Sequence, residues 1–164
     1  WTPTLVAPMQ HAQGDLLFIR HTGPLPAGVP VAPEQGRVIL AYGEVTGHHH
    51  SVSGAYATAT RDVNGLTYLT VDELLAPDLG TRTRFPLLDI RGDSPAIDHP
   101  EWGETVFARE DCDEVTADAV YVSGRFAPVR HQEHAANALR PGIHKVVRQR
   151  EASDADEAWA YVGD

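Results

Sequence analysis

The chain has 164 residues, of which 42% are hydrophobic and 22% charged, with a formal net charge of −10 and a pI near 5.2. That is enough chain for one domain with a sizeable core. The acidity excludes a general binder of phosphate backbones, which needs a basic face.

No run approaches the ~18–20 apolar residues of a membrane span. The chain opens on Trp1 rather than Met, as expected of a truncated, processed or renumbered start. Cys112 is the lone cysteine, so no intrachain disulfide and no Cys-based zinc knuckle can form. Its acidic setting, "REDCDEV", disfavours a reactive thiolate. Cysteine usage fits a cytoplasmic protein.

In chain order, residues 1–11 read as an irregular arm and Gly14–Arg20 as a first strand. The Pro- and Gly-dense segment "HTGPLPAGVPVAPEQG" reads as a long surface loop. Arg37–Val52 reads as one long strand with a bulge at Gly43 or Gly47. The next segment reads as a hairpin whose Asn64-Gly65 turn suits type I′ geometry. Ala76–Pro100 reads as a second loop, and "RGD" at Arg91–Asp93 as turn chemistry. "ETVFARE" and "DAVYVSG" predict two further strands around an acidic loop.

"RHQEHAANALRPG" is either a helix stopped by Pro141 or an extended loop. "PGIHKVVRQRE" predicts a turn and a final strand, and a capping box at Ser153 and Asp156 predicts a short C-terminal helix over 153–164. Strands with turn signals at short intervals predict a mainly β fold, a single-domain sandwich or small barrel over residues 1–164.

The chemistry concentrates in histidines. "TGHHHSVSG" carries His48, His49 and His50 within predicted strand. Alternation puts His48 and His50 on one face with Glu44, and His49 on the other. "HQEH" supplies His131 and His134, which share a face only in a turn or helix. Imidazole suits zinc, nickel, copper and iron, so His48, His50, His131 and His134 are the candidate ligands of one transition metal ion. Glu44 and Glu133 are the candidate bases or supporting groups. His144 is a spare ligand, while His11, His21 and His99 lie in loops. No zincin motif, nucleophile elbow, P-loop or dinucleotide fingerprint occurs.

The H-x-H strand followed by Pro141-Gly142-x-His144 resembles the cupins, small β-barrels with a histidine metal site. A closer resemblance is to a family of short, uncharacterised bacterial proteins. It rests on "GEVTGHHH", "HQEH" and "LRPGIHKVVRQRE", with "QGDLLFIR" and "LPAGV" upstream. Relative to that family, residues 82–115 look like an insertion, and the resemblance implies no activity.

Three functions follow as expectations. The first is a metal-binding β-domain. The second is a metal-dependent enzyme, a hydrolase or cupin-like oxygen user, with Glu44 or Glu133 as base. The third is a metal-free interaction module, possible as a homo-oligomer, contacting protein or RNA through Arg148 and Arg150.

Overall fold

The computed structural model describes residues 10–42 and 47–148. Glu44, Arg150 and the C-terminal segment 153–164 lie outside the described residues.

Strands β1 (Gln10–Gln13) and β2 (Leu16–His21) form a hairpin around a turn in which Gly14 takes a positive φ of 57°. The arm expected over 1–11 thus gives way to strand at Gln10. The expected surface loop contains β3 (Gly28–Pro30), which adds to a sheet edge, where Pro30 costs no ladder bond. The long strand expected over 37–52 is instead a hairpin of β4 (Arg37–Tyr42) and β5 (His49–Ser53), with a register shift between Ile39 and Ala41. Folding back lets Val38, Leu40 and Val52 share one buried face.

β6 (Ala57–Asp62) and β7 (Thr67–Val71) form the expected hairpin. Its turn is not type I′, because only Gly65 has positive φ, at 81°. The Asp62 carboxylate organises it, accepting the Asn64 and Leu66 N–H groups at 2.9 Å each.

The second expected loop is largely strand: β8 (Thr83–Arg91) turns through Gly92 into β9 (Ser94–His99). β8 is long because it serves two neighbours. Its first half, Thr83–Pro86, pairs with β12 (Ala119–Val122), its second, from Leu87, with β9, and the β9 pairing carries a bulge between Leu87 and Asp89. β10 (Gly103–Phe107) follows, then a 3-10 turn at Arg109–Asp111 and the short β11 (Glu114–Val115) within the acidic segment. β13 (Ala127–Val129), β14 (Ala136–Leu139) and β15 (Gly142–Arg148) complete the order.

The mainly β expectation holds. A six-stranded sheet runs β1-β2-β15-β7-β6-β3, and a seven-stranded one runs β11-β12-β8-β9-β10-β14-β13. Among the described residues both sheets are open and no barrel closes. The β4–β5 ribbon extends the second sheet through a bridge between Ser51 and Arg130. No helix of the described residues is long and apolar enough to cross a membrane.

Two apolar clusters fill the structure. One joins β2, β4, β5, β7 and β13 through Phe18, Leu40, Val52, Leu69 and Val129. The other gathers Ile97, Trp102, Phe107, Val120 and Phe126. Phe107 meets Phe126 edge to face, with centroids 5.1 Å apart, and the Arg140 guanidinium lies 4.2 Å from the Phe126 ring centre. β14 is shared: Ala138 packs into the second cluster and Leu139 into the first. This double burial overrides the helix propensity of its alanines.

Cys112 packs against the second cluster and its thiol donates weakly to the Ala108 carbonyl. Burial, aided by Asp111, pushes its pKa up to about 12. At pH 8 that leaves roughly a thousandfold less thiolate than an ordinary thiol has. An aryl disulfide reagent should therefore modify native Cys112 at least a hundredfold more slowly than the urea-unfolded chain. Equal rates would show that the thiol is not held in this setting.

Candidate functional site

The two histidine segments meet by strand pairing. Ser51 and Arg130 exchange backbone hydrogen bonds of 2.9 and 2.8 Å. Continuing that antiparallel register sets His50 opposite His131, His49 opposite Gln132 and His48 opposite Glu133. The side chains confirm each step. The His50 and His131 ring centroids are 4.4 Å apart. Gln132 clamps His49 twice: its Oε1 accepts the His49 N–H at 2.8 Å, and its Nε2 donates to His49 Nδ1 at 3.2 Å. His48 Nδ1 lies 3.6 Å from Glu133 Oε1.

His131 is the hub. Its ring lies 5.6 Å from that of His48 and 4.6 Å from that of His134. The "HQEH" segment is neither helix nor strand but a series of bends leading into β14. Those bends bring His131 and His134 together without a helical turn. All four expected ligand residues are thus neighbours, and His49 faces away as alternation requires.

They are neighbours as rings rather than as a formed coordination sphere. Among the described residues, no three or more His, Cys, Asp or Glu side chains are grouped to hold a metal ion. His131 Nδ1 accepts the Glu133 N–H at 3.0 Å, so its neutral ring carries the proton on Nε2.

Residues not singled out for the site from sequence support it from below. Gln13 is 2% exposed. Its Nε2 donates to the Val129 carbonyl at 2.8 Å and to the Ala135 carbonyl at 2.9 Å. Its Oε1 is therefore the acceptor, and His50 Nδ1–H donates to it at 2.8 Å. This fixes the His50 tautomer and points a lone pair from Nε2 when the ring is neutral. That nitrogen lies 3.7 Å from Oδ1 of Asp15, a carboxylate only 1% exposed. The other Asp15 oxygen accepts from Arg148 Nη1 at 2.5 Å, and Arg148 Nη2 donates to the Tyr42 carbonyl.

Asn137 extends the network by donating to the Ala12 carbonyl at 2.7 Å. The signal for Gln13 and Asp15 was present in "QGDLLFIR", where two polar residues flank a glycine before an apolar strand. Arg148 was read as a surface cation, but it pairs with a buried acid.

The remaining histidines stand apart in role. His144 Nε2 donates to the Arg140 carbonyl at 2.8 Å. His21 Nε2 donates to the Pro24 carbonyl at 3.0 Å. His99 stacks on Trp102 and its Nδ1 accepts the N–H groups of Glu101 and Trp102. Burial holds its pKa below the ordinary imidazole value.

Open clefts reach the cluster from more than one side. One of about 400 Å³ is lined by Gln13, Arg91, Ser94, His134 and Asn137 among others. Another, of about 250 Å³, runs past Trp102, Glu104, His131, Glu133 and His134.

Residues 12–76 match the family model described as Domain of unknown function (DUF8820). That stretch includes Gln13, Asp15, His48 and His50 but not His131 or His134. No curated protein and no solved structure matches the chain.

Because Gln13 satisfies several buried groups at once, Gln13→Ala should destabilise the fold by roughly 2–4 kcal/mol, read by urea denaturation. A loss below about 0.5 kcal/mol, within the range of surface substitutions, would mean that the amide is not the support described.

Proposed function

We propose that the protein is a histidine-based transition-metal-binding β-domain, with His48, His50, His131 and His134 as its ligand set. One observation carries the reading: two histidine segments far apart in sequence pack ring to ring around His131. Its support is chemical as well as spatial. The hydrogen bond from His50 Nδ1 to Gln13 is the outer support that metal-ligating imidazoles use. Two buried atoms, His134 Nε2 and Asp15 Oδ1, have no hydrogen-bond partner among the described residues. A cation in this region would offset the cost of burying them.

Binding through His131 Nε2 requires the other neutral tautomer, with the proton moved from Nε2 to Nδ1 and Nδ1 turned from the Glu133 N–H. Side-chain rotation of His48 and His134, both partly exposed, then brings their nitrogens inward. Metal uptake on this reading releases protons and weakens as pH falls.

A metal-dependent enzyme is the second reading. It is favoured by Glu133, half-exposed and 3.6 Å from His48, where a base could serve a metal-bound water. Glu44, the other candidate base, immediately precedes this strand in sequence. The likeness of "GEVTGHHH", "HQEH" and the late "RQRE" to uncharacterised bacterial proteins adds motifs on both sides of the ring cluster but no reaction.

Untagged protein purified without chelator should carry close to one equivalent of zinc, nickel, copper or iron by elemental mass spectrometry. The double variant His48→Ala/His134→Ala should lose that metal and keep its β-type circular dichroism. Stoichiometric metal in the double variant would reject this ligand set. Failure of the unaltered protein to take up any of the four metals would reject metal binding altogether.

A further inference from the structure

Alternation along β5 gives the Ser51–Arg130 pairing a second face, turned away from the histidine rings. On it, Arg37, His49, Ser51, Arg130 and Gln132 line an open cleft of about 430 Å³ that reaches down to His131. The lining holds two guanidiniums and no carboxylate, in a chain whose net charge is −10. Ser51 stands between the arginines in the sheet: it pairs with Arg130 on one side and with Ile39 of β4 on the other.

Arg37 is held in place. Its Nε donates to Ser51 Oγ at 2.8 Å and its Nη2 to the Ser51 carbonyl at 3.0 Å, which leaves further N–H donors of its fork unused. Neither Arg37 nor Arg130 forms an ion pair among the described residues. Burial lowers the pKa of Arg37, Tyr56 opposes that shift, and the Arg130 charge adds to the lowering. Tyr56 lies within the field of both guanidiniums, although burial raises its own pKa.

Like charges on the two strands that flank β5, with no ion-pair partner among the described residues, are costly unless an anion joins them. A planar guanidinium fork matches the oxygens of phosphate or carboxylate, and the Ser51 hydroxyl and Gln132 amide add neutral polar contacts. The cleft volume lies in the range of small-molecule sites. The acidity of the whole chain opposes capture of a long polyanion, whose binding draws on many spread cations.

We propose that this cleft is a binding site for a small phosphate-class oxyanion, either free phosphate or the phosphate group of a small monoester, held between Arg37 and Arg130. The site stands on the outward face of the sheet and does not depend on the metal reading.

The test titrates inorganic phosphate, and separately glycerol phosphate, into the full chain at low salt, followed by calorimetry and amide NMR shifts. Chelator-treated and untreated protein are run in parallel. Saturable one-to-one binding is expected, with shifts centred on His49, Ser51 and Gln132, and unchanged by chelator. Arg130→Gln, an exposed position, should weaken binding roughly tenfold or more without lowering the melting temperature. Arg37→Lys should weaken it too, because a lysine keeps the charge but loses the fork. A tighter monoester identifies an organic phosphate, and equal affinity identifies the free ion. No saturable binding at millimolar phosphate would overturn the proposal. So would unchanged affinity in Arg130→Gln, loss of binding on chelation, or tighter binding of an RNA oligomer than of phosphate.

Discussion

Two backbone hydrogen bonds between Ser51 and Arg130 set most of what is chemically notable in this molecule. They join the β4–β5 ribbon to the seven-stranded sheet and so complete the layer that covers the first apolar cluster. They also fix a register, and in a β-pair a register decides which side chains meet on each face. On the inner face it sets His50 against His131 and His48 against Glu133. On the outer face it sets His49 against Gln132 and places Arg130 across β5 from Arg37, so that both line one cleft. A slip by one residue would exchange the two sets. The clamp of Gln132 on His49, two hydrogen bonds from one amide, opposes such a slip at the point where the backbone pairing ends.

Beneath the rings the constraint is of another kind. A buried amide, a buried carboxylate and a buried imidazole stand side by side in Gln13, Asp15 and His50. Each is costly to bury alone, and such a group persists only when its hydrogen bonds are met. Gln13 meets most of them by fastening the end of β1 to β13, to the start of β14 and to His50. Arg148 answers the Asp15 charge from the end of β15. The network therefore ties both sheets together at one polar point. Polar ties of this type give orientation more than stability, because desolvation offsets much of their attraction. Orientation of the His50 ring is what an imidazole site needs.

The sequence was legible where local chemistry dominates. The hairpin at Asn64-Gly65, the first strand within Gly14–Arg20 and the turn and strand after Pro141 all follow from short-range pattern. The grouping of His48 and His50 on one face followed from alternation alone. Legibility failed where a distant neighbour decides. The strand β8 carries Pro86 and two exposed apolar side chains, Leu88 and Ile90, so its sequence does not alternate apolar with polar, although its burial alternates from Thr83 to Leu88. Its pairing partners, β12 and β9, make it a strand. "AANAL" has the composition of a helix, but both of its faces are claimed by cores, and an extended chain is what fits between them. That β4 and β5 pair with each other was not legible, because no strong turn signal in Arg37–Val52 marks where one strand ends and the next begins.

The candidate site was half legible for the same reason. Ligand types and their likeness of spacing are local properties, so the histidines could be named. The supporting residues are defined only by what they touch, and Gln13 and Asp15 touch residues more than thirty positions away. The outer cleft was less legible still, because Arg37 and Arg130 belong to different strands and neither sits in a motif. Their juxtaposition is a product of register. An acidic chain that places two guanidiniums together, and anchors one of them by two bonds to a buried serine, accepts a local electrostatic cost that neither the core nor the sheet requires. A bound anion removes that cost, and the adjacency of the cleft to His131 would then put its negative charge next to a ring cluster suited to cations. The two faces of one strand pair would thus carry complementary charge within a single layer of backbone.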